Sequence, residues 1–262
     1  MGSAILKRLT TLLQRLTAII IILLAWEIVV RAGILYPAPI PTASRVFGVL
    51  VEMALAGTLQ KHTVISLGRV FSGYTLAVVI AIPLGLAVGW FKTFERYLDP
   101  LLQTLRQVPL LAWFPVFILI FGIGELSKIL LIMLAAMWWI LLSTISAVQN
   151  VDPFIVKTAR SMGVSEWDML RKVVLPSAVP SIFTGLRYAY TEVILVLFAV
   201  EMLGANDGLG SVMIYGSCHP GPELFMVYSI SIFMAIIGLI ANYMLVGLER
   251  RLCKWKEETG MG

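Results

Sequence analysis

Charge is scarce in this sequence. Asp, Glu, Lys and Arg make up 13% of its 262 residues, against roughly 25% in an ordinary soluble chain. With 59% of the residues hydrophobic and a mean hydropathy of +0.92, polar side chains are too few to cover a water-facing surface. Lipid must be the solvent. Cysteine is nearly absent: Cys218 and Cys253 lie far apart, which excludes a disulfide framework and a Cys-rich metal centre. Only two histidines occur. His62 falls at the mouth of an apolar run, and His219 adjoins Cys218 in a Pro220-Gly221-Pro222 turn. Two adjacent ligands fall short of the three or four that zinc takes, so no metal site is expected. No G-x-x-x-x-G-K-[ST] phosphate loop is present, and no nucleophile–base pair can be assembled. The chain is therefore expected to be neither an ATPase nor any other enzyme, and to hold no cofactor of its own. The net charge of +5 would suggest nucleic acid in a soluble protein. Here the basic residues flank apolar runs, so they report membrane topology and lipid contact, and no nucleic-acid partner is expected.

What the chain has in abundance is apolar runs of the length a bilayer requires, about 20 residues. They fall at approximately residues 17–34, 63–90, 98–121, 126–148, 178–203 and 223–248. The expected fold is all-α and integral to the membrane, with about six transmembrane helices. The first run has the basic flank of a signal peptide (Lys7, Arg8, Arg15). No small-residue cleavage site follows it, and Glu27 and Arg31 occupy the exit, so it is expected to stay as an uncleaved span. Those two residues, at i,i+4, are a helix-surface pair. Pro83 with Gly85 and Gly89 predicts a bend in the second span, and Pro109 and Pro115 a kink in the third.

Six spans place both ends on one side. One set of connecting segments carries Lys7, Arg8, Arg15, Lys92, Arg96, Lys157, Arg160, Arg171, Lys172, Arg250, Arg251, Lys254 and Lys256. The other carries Arg31, Arg45, Lys61 and Lys128. The positive-inside rule puts the first set, and both termini, in the cytoplasm. Residues 1–16 are expected to lie as an amphipathic segment on the cytoplasmic face, residues 17–251 to form the membrane domain with its core at 62–251, and residues 252–262 a cytoplasmic tail.

The loop at residues 150–176 is punctuated as two short helices. Asp152 is placed to cap the first and Pro153 suits its first position. Gly163 can take the left-handed conformation that ends it. Ser165 and Asp168 form a capping-box pattern for the second, Glu166 and Asp168 lie in its first turn and Arg171 and Lys172 in its last, and Pro176 closes it. Met162, Val164, Trp167 and Met169 at the turn either offer an apolar knob to a partner or fold back on the bundle.

These residues resemble a known family. Lys157-Thr158-Ala159-Arg160-Ser161-Met162-Gly163, nine residues, then Val173-Val174-Leu175-Pro176 is similar to the E-A-A-x-x-x-G, nine residues, I-x-L-P loop of binding-protein-dependent ABC importer permeases. Lys157 and Thr158 depart from its leading Glu and Ala, and Val173 from its Ile. The likeness runs from about His62 to Arg251, through Ser66-Leu67-Gly68-Arg69, the run from Leu105 to Pro115, Phe121-Gly122-Ile123-Gly124-Glu125 and Glu201-Met202-Leu203-Gly204-Ala205, as in the subgroup for nitrate, taurine, aliphatic sulfonates and bicarbonate. It implies a type I importer permease in the bacterial inner membrane. It also implies a coupling helix at about Lys157 to Trp167, including Val164, Ser165 and Glu166 and closed by Leu175 and Pro176, docked on a cytoplasmic ABC ATPase dimer. ATP and magnesium would be bound by that ATPase. A second permease copy, most simply a homodimer, and an extracytoplasmic solute-binding protein complete the implied assembly. An aromatic or vitamin-precursor substrate is an alternative within the family. An ATP-independent channel or secondary transporter is the alternative outside it, one that leaves the loop without a partner.

Ionisable residues inside a bilayer tend to face the bundle interior or a cavity. Arg69 and Glu201 fall at matching depths and can pair, either as a structural tie between two helices or as a gate or substrate contact. Arg106, Gln107, Arg187, Tyr190 and Glu192 are candidates to line a path, where positive charge suits a small anion. Arg106 has the alternative of snorkelling to the headgroups.

Overall fold

A computed structural model of the chain describes residues 17–18, 20–34, 40–219, 221 and 223–253. Among them every regular element is helical. The expected amphipathic segment at 1–16 and almost all of the expected tail, beyond residue 253, lie outside the described residues. The helices are α1 (residues 20–31), α2 (Ala43–Leu55), α3 (Thr58–Trp90), α4 (Lys92–Leu105), α5 (Trp113–Phe121), α6 (Glu125–Gln149), α7 (Pro153–Ser161), α8 (Glu166–Met169), α9 (Leu175–Gly204), α10 (Leu209–Cys218) and α11 (Leu224–Leu252). Among the described residues α3, α6 and α11 are each long and apolar enough to cross a membrane, and the number rises to as many as five where each of two bent helix pairs is counted as one span. The first apolar run is helical over the residues assigned to α1.

The chain divides into two compact units. One takes the residues up to Lys61 together with Val212–Met234, the other His62–Ser211 together with the residues from Ala235 onward. In the first unit, α2 lies between the first two expected spans and was not itself expected. Its buried residues Ala43, Val46, Val49 and Met53 recur at helical spacing and define one packed face. The Ser229 hydroxyl donates to the Val46 carbonyl at 2.9 Å. Glu27 pairs with Arg31 at 2.7 Å as the i,i+4 spacing predicts, and also accepts from the Ser44 amide and hydroxyl at 3.0 and 2.8 Å.

The second unit is built on close helix packing. In a membrane there is little hydrophobic drive between helices, so small residues that let backbones approach carry the interface. On α3, a Cβ at Gly73 would come within 2.7 Å of Ile132, at Gly85 within 2.6 Å of Thr144, and at Gly89 within 2.8 Å of Val148. The three glycines thus align α3 parallel to α6 in one register. Gly185 brings α9 against Ser143 in the same way, at 2.4 Å, antiparallel to α6. Pro83 lies within an unbroken α3, and the neighbouring Gly85 and Gly89 make the close approaches to α6.

Two expectations need correction. The third span is broken rather than kinked: α4 ends at Leu105, and the helix that resumes at Leu110 is turned by 82°. Pro109, which lacks an amide hydrogen and disfavours helix in the residue before it, lies in the break, while Pro115 sits in the first turn of α5 and is tolerated there. Second, Pro176 does not close a short helix. From Glu166 the chain stays helical to Gly204, through a π-helical turn at Leu170–Val174. Pro176 lies in the first turn of α9, where the widened turn before it absorbs the missing donor.

Candidate functional site

Three groupings carry chemistry, and all lie within the second unit. The first is the α7–α8 hairpin that joins α6 to α9. Asp152 caps α7, accepting from the Phe154 amide at 2.8 Å, with Pro153 in the first turn. The exit is a Schellman motif: the Gly163 amide donates to Arg160 O at 3.1 Å and Val164 N to Ala159 O at 3.3 Å. It requires the left-handed φ of +77° that Gly163 adopts. Ser165 then caps α8, accepting from Asp168 N at 3.2 Å. Arg160 and Glu166 bridge the turn at 2.7 Å. The Lys172 ammonium, 2.8 Å from Asp168, holds that carboxyl below its ordinary value, first by its hydrogen bond and then by its charge. The turn is stiff, yet its apolar residues are not packed away: Phe154, Met162 and Trp167 are 74%, 78% and 67% exposed. Met169, expected with them at the knob, is buried.

The second grouping lies at the opposite end of α6, whose 25 residues span about 37 Å at 1.5 Å per residue. Arg69 and Glu201 do pair, at 2.7 Å, both buried. The pair is part of a larger network. Arg69 also grips Glu125 with two parallel hydrogen bonds of 2.6 and 2.7 Å and donates to the Asp207 carbonyl at 2.7 Å. Glu201 accepts from both Ser66 Oγ, at 2.7 and 2.9 Å, and Gly210 N at 2.8 Å. Lys128 closes on Glu125 at 3.0 Å. Two cations and two carboxylates balance, and His62 accepts from the Gly208 amide at 2.9 Å. Gly208, at φ +121°, lies so close that a Cβ would come within 2.4 Å of the Glu201 carboxyl carbon. Reading single residues missed Ser66, Glu125, Lys128 and His62. The signal was their spacing: His62, Ser66 and Arg69 share one face of α3, and Glu125 and Lys128 are i,i+3 on α6.

The third grouping is a cavity of about 520 Å³ at the break of the third span. Arg106, Gln107 and Glu192, all candidates for a path, line it together with Trp138 and Trp139. Arg187 is elsewhere, 3.5 Å from Glu249. Tyr190 packs edge-on to Tyr74 with ring centroids 6.2 Å apart, beside an almost wholly apolar hollow.

Broken helices, a buried charge network and a cavity lined by Arg106, Gln107 and Glu192 among apolar spans suit a membrane transport component. Residues 77–254 match the family of binding-protein-dependent transport system inner membrane components. The chain belongs to that family, and it is a multi-pass permease subunit of the ABC importer type. The taurine transport system permease protein TauC of Escherichia coli K12 is 33% identical over 247 residues, covering 91% of this chain and 88% of its own. A putative aliphatic sulfonates transport permease protein, SsuC of Bacillus subtilis 168, is 32% identical over 236 residues, 90% of this chain and 85% of its own. The nitrate import permease protein NrtB of Leptolyngbya laminosa is 36% identical over 177 residues, 68% of this chain and 63% of its own. An inward-facing structure of the MetNI methionine ABC transporter shares the fold, with a TM-score of 0.61 at 20% identity over 71% of this chain and 92% of that chain.

Proposed function

We propose that the chain forms the translocation path for a small solute, of the class spanned by aliphatic sulfonates, taurine, nitrate and bicarbonate. A solute-binding protein delivers the solute from outside the membrane, and an ATPase dimer drives transport from the cytoplasm. The permease works as two copies, most simply a homodimer. ATP and magnesium are bound by the ATPase, not by this chain. The observation that carries the reading is the α7–α8 hairpin: a doubly capped turn held by an Arg160–Glu166 bridge, with Phe154, Met162 and Trp167 left exposed. A stiff peg with an apolar tip transmits force, whereas a flexible loop does not. The basic residues flanking the spans support a cytoplasmic location for this hairpin and both termini, which turns the Arg69–Glu125–Glu201 network towards the binding protein. There the network ties α3, α6 and α9 together and acts as the outer gate.

Affinity purification of the full chain from its native membrane, with an ATPase assay on what co-purifies, tests this. A bound ATP-hydrolysing partner that is lost on Gly163→Val supports it. A chain that purifies alone, with no ATP hydrolysis in any fraction, contradicts it.

A further inference from the structure

The hollow beside Tyr74 and Tyr190 is formed by α3, α9 and the part of α11 that belongs to the second unit, and has a volume of about 470 Å³. Its lining is almost wholly carbon, and the Tyr74 hydroxyl is already committed to the Leu186 carbonyl at 2.8 Å. Phe71 of α3 and Met244 of α11 both line it and are exposed, so the hollow opens at the surface of a chain whose solvent is lipid.

On α11 the lining residues Ala241, Met244, Leu245 and Leu248 fall at i, i+3, i+4 and i+7, which is one face of a helix. The same face continues to Arg251 and Leu252, which repeat the positions of Met244 and Leu245 one heptad later. Arg251 therefore stands one turn beyond Leu248, about 4.5 Å further along the axis. It is exposed and forms no ion pair with any described residue. Glu249, the nearest acid in sequence, is buried and paired with Arg187 at 3.5 Å. Arg250 precedes Arg251, and Lys254 and Lys256 follow within five residues. The apolar hollow thus ends on a cluster of positive charge at the boundary of a span.

An apolar groove that closes on basic side chains fits an amphiphile with an acyl tail and an anionic head, and basic clusters at the end of a membrane-spanning helix attract anionic lipid. Segments of this chain fit less well. Lys7, Arg8 and Arg15 precede the first apolar run, and a second copy inserted the same way round would bring its own Arg250 and Arg251 to the same level. Either would set like charge against like charge, whereas an anionic lipid supplies the opposite sign. We infer that the hollow seats an acyl chain of an anionic phospholipid whose phosphate is held by Arg251 at the end of α11. The site is separate from the α7–α8 hairpin and from the Arg69 network, and it does not depend on the importer reading.

The test is native mass spectrometry of the full chain after exchange from detergent into equal amounts of phosphatidylglycerol and phosphatidylcholine with the same acyl chains. Phosphatidylglycerol should be retained over phosphatidylcholine by about fivefold or more, the worth of one basic side chain at a membrane surface. Arg251→Gln should bring the two lipids towards parity, and Arg251→Lys should keep the preference. Ala241→Phe, which fills the hollow, should lower retention of both lipids. Arg251 is exposed at a helix end, so its variants keep the test decisive if Ala241→Phe fails to fold. Inorganic phosphate at millimolar concentration should not displace the lipid, because it lacks the tail. Equal retention of the two lipids by the unaltered chain, a preference unchanged by Arg251→Gln, or displacement by inorganic phosphate would overturn the inference. So would a second copy retained in place of lipid and lost on Ala241→Phe.

Discussion

Replacing Glu201 by Ala removes the acceptor for three donors: Ser66 Oγ, Arg69 Nη1 and Gly210 N. Arg69 keeps its two bonds to Glu125 and one to the Asp207 carbonyl, so the guanidinium is not left wholly unpaired. Each donor stranded in a buried site costs about 1–3 kcal/mol, and breaking a buried ion pair costs about 3–5 kcal/mol. These two figures describe the same loss from different sides and are not summed. A destabilisation of about 4 kcal/mol is expected, a fall in Tm of about 10 °C at the 2–4 °C per kcal/mol typical of domains this size. The decisive variant is the charge swap Arg69→Glu with Glu201→Arg. An isolated pair would tolerate the exchange. The network should not, because a guanidinium at 201 would face the Gly210 amide, and a carboxylate at 69 would face Glu125 and the Asp207 carbonyl. Thermal unfolding in detergent, followed by size-exclusion monodispersity, measures both. A swap that recovers most of the wild-type Tm would refute the network and reduce it to a simple pair.

Gly163→Val forces a β-branched residue to φ +77° in open space, so the strain is in the backbone alone, about 2 kcal/mol or somewhat more. Membrane insertion should be normal, by protease protection, while the bound ATPase is lost. Gly85→Leu places a side chain where Thr144 lies 2.6 Å from the Cβ position. It should cost well over 3 kcal/mol, because overpacking at several atoms accumulates, and the variant should aggregate on extraction. Because the folded Asp168 carboxyl titrates below its ordinary value, its small contribution to the hairpin should be complete above about pH 4 and lost as pH falls through the lowered value. Lys172→Met should move the carboxyl titration, read by NMR of labelled aspartate, back up toward the ordinary range.

The parts of this fold written in local chemistry were legible in the sequence. Hydrophobic runs located the spans because a bilayer leaves few alternatives to a helix. Asp152, Gly163 and Ser165 marked the ends of α7 and α8 because caps act within three residues. What was not legible depended on distant partners. Pro83, Gly85 and Gly89 on one strip of sequence suggested a bend, and only the register against Thr144 and Val148 shows that the two glycines are there for packing. Pro176 looks like a stop in any local reading, and the π-helical turn that carries the chain past it leaves no sequence mark. Depth alone put Arg69 opposite Glu201. Glu125, which Arg69 grips with two bonds, follows a turn between separate helices, so its approach depends on how the broken third span returns to α6.

The central claim is that transport through this chain is driven through the α7–α8 hairpin by ATP hydrolysed elsewhere. Solute uptake into proteoliposomes holding the purified assembly, with and without ATP, tests it most directly. Uptake should require ATP and the binding protein, and Gly163→Val should abolish it. Equal uptake without ATP, or full ATP-driven uptake in the Gly163→Val assembly, would contradict it.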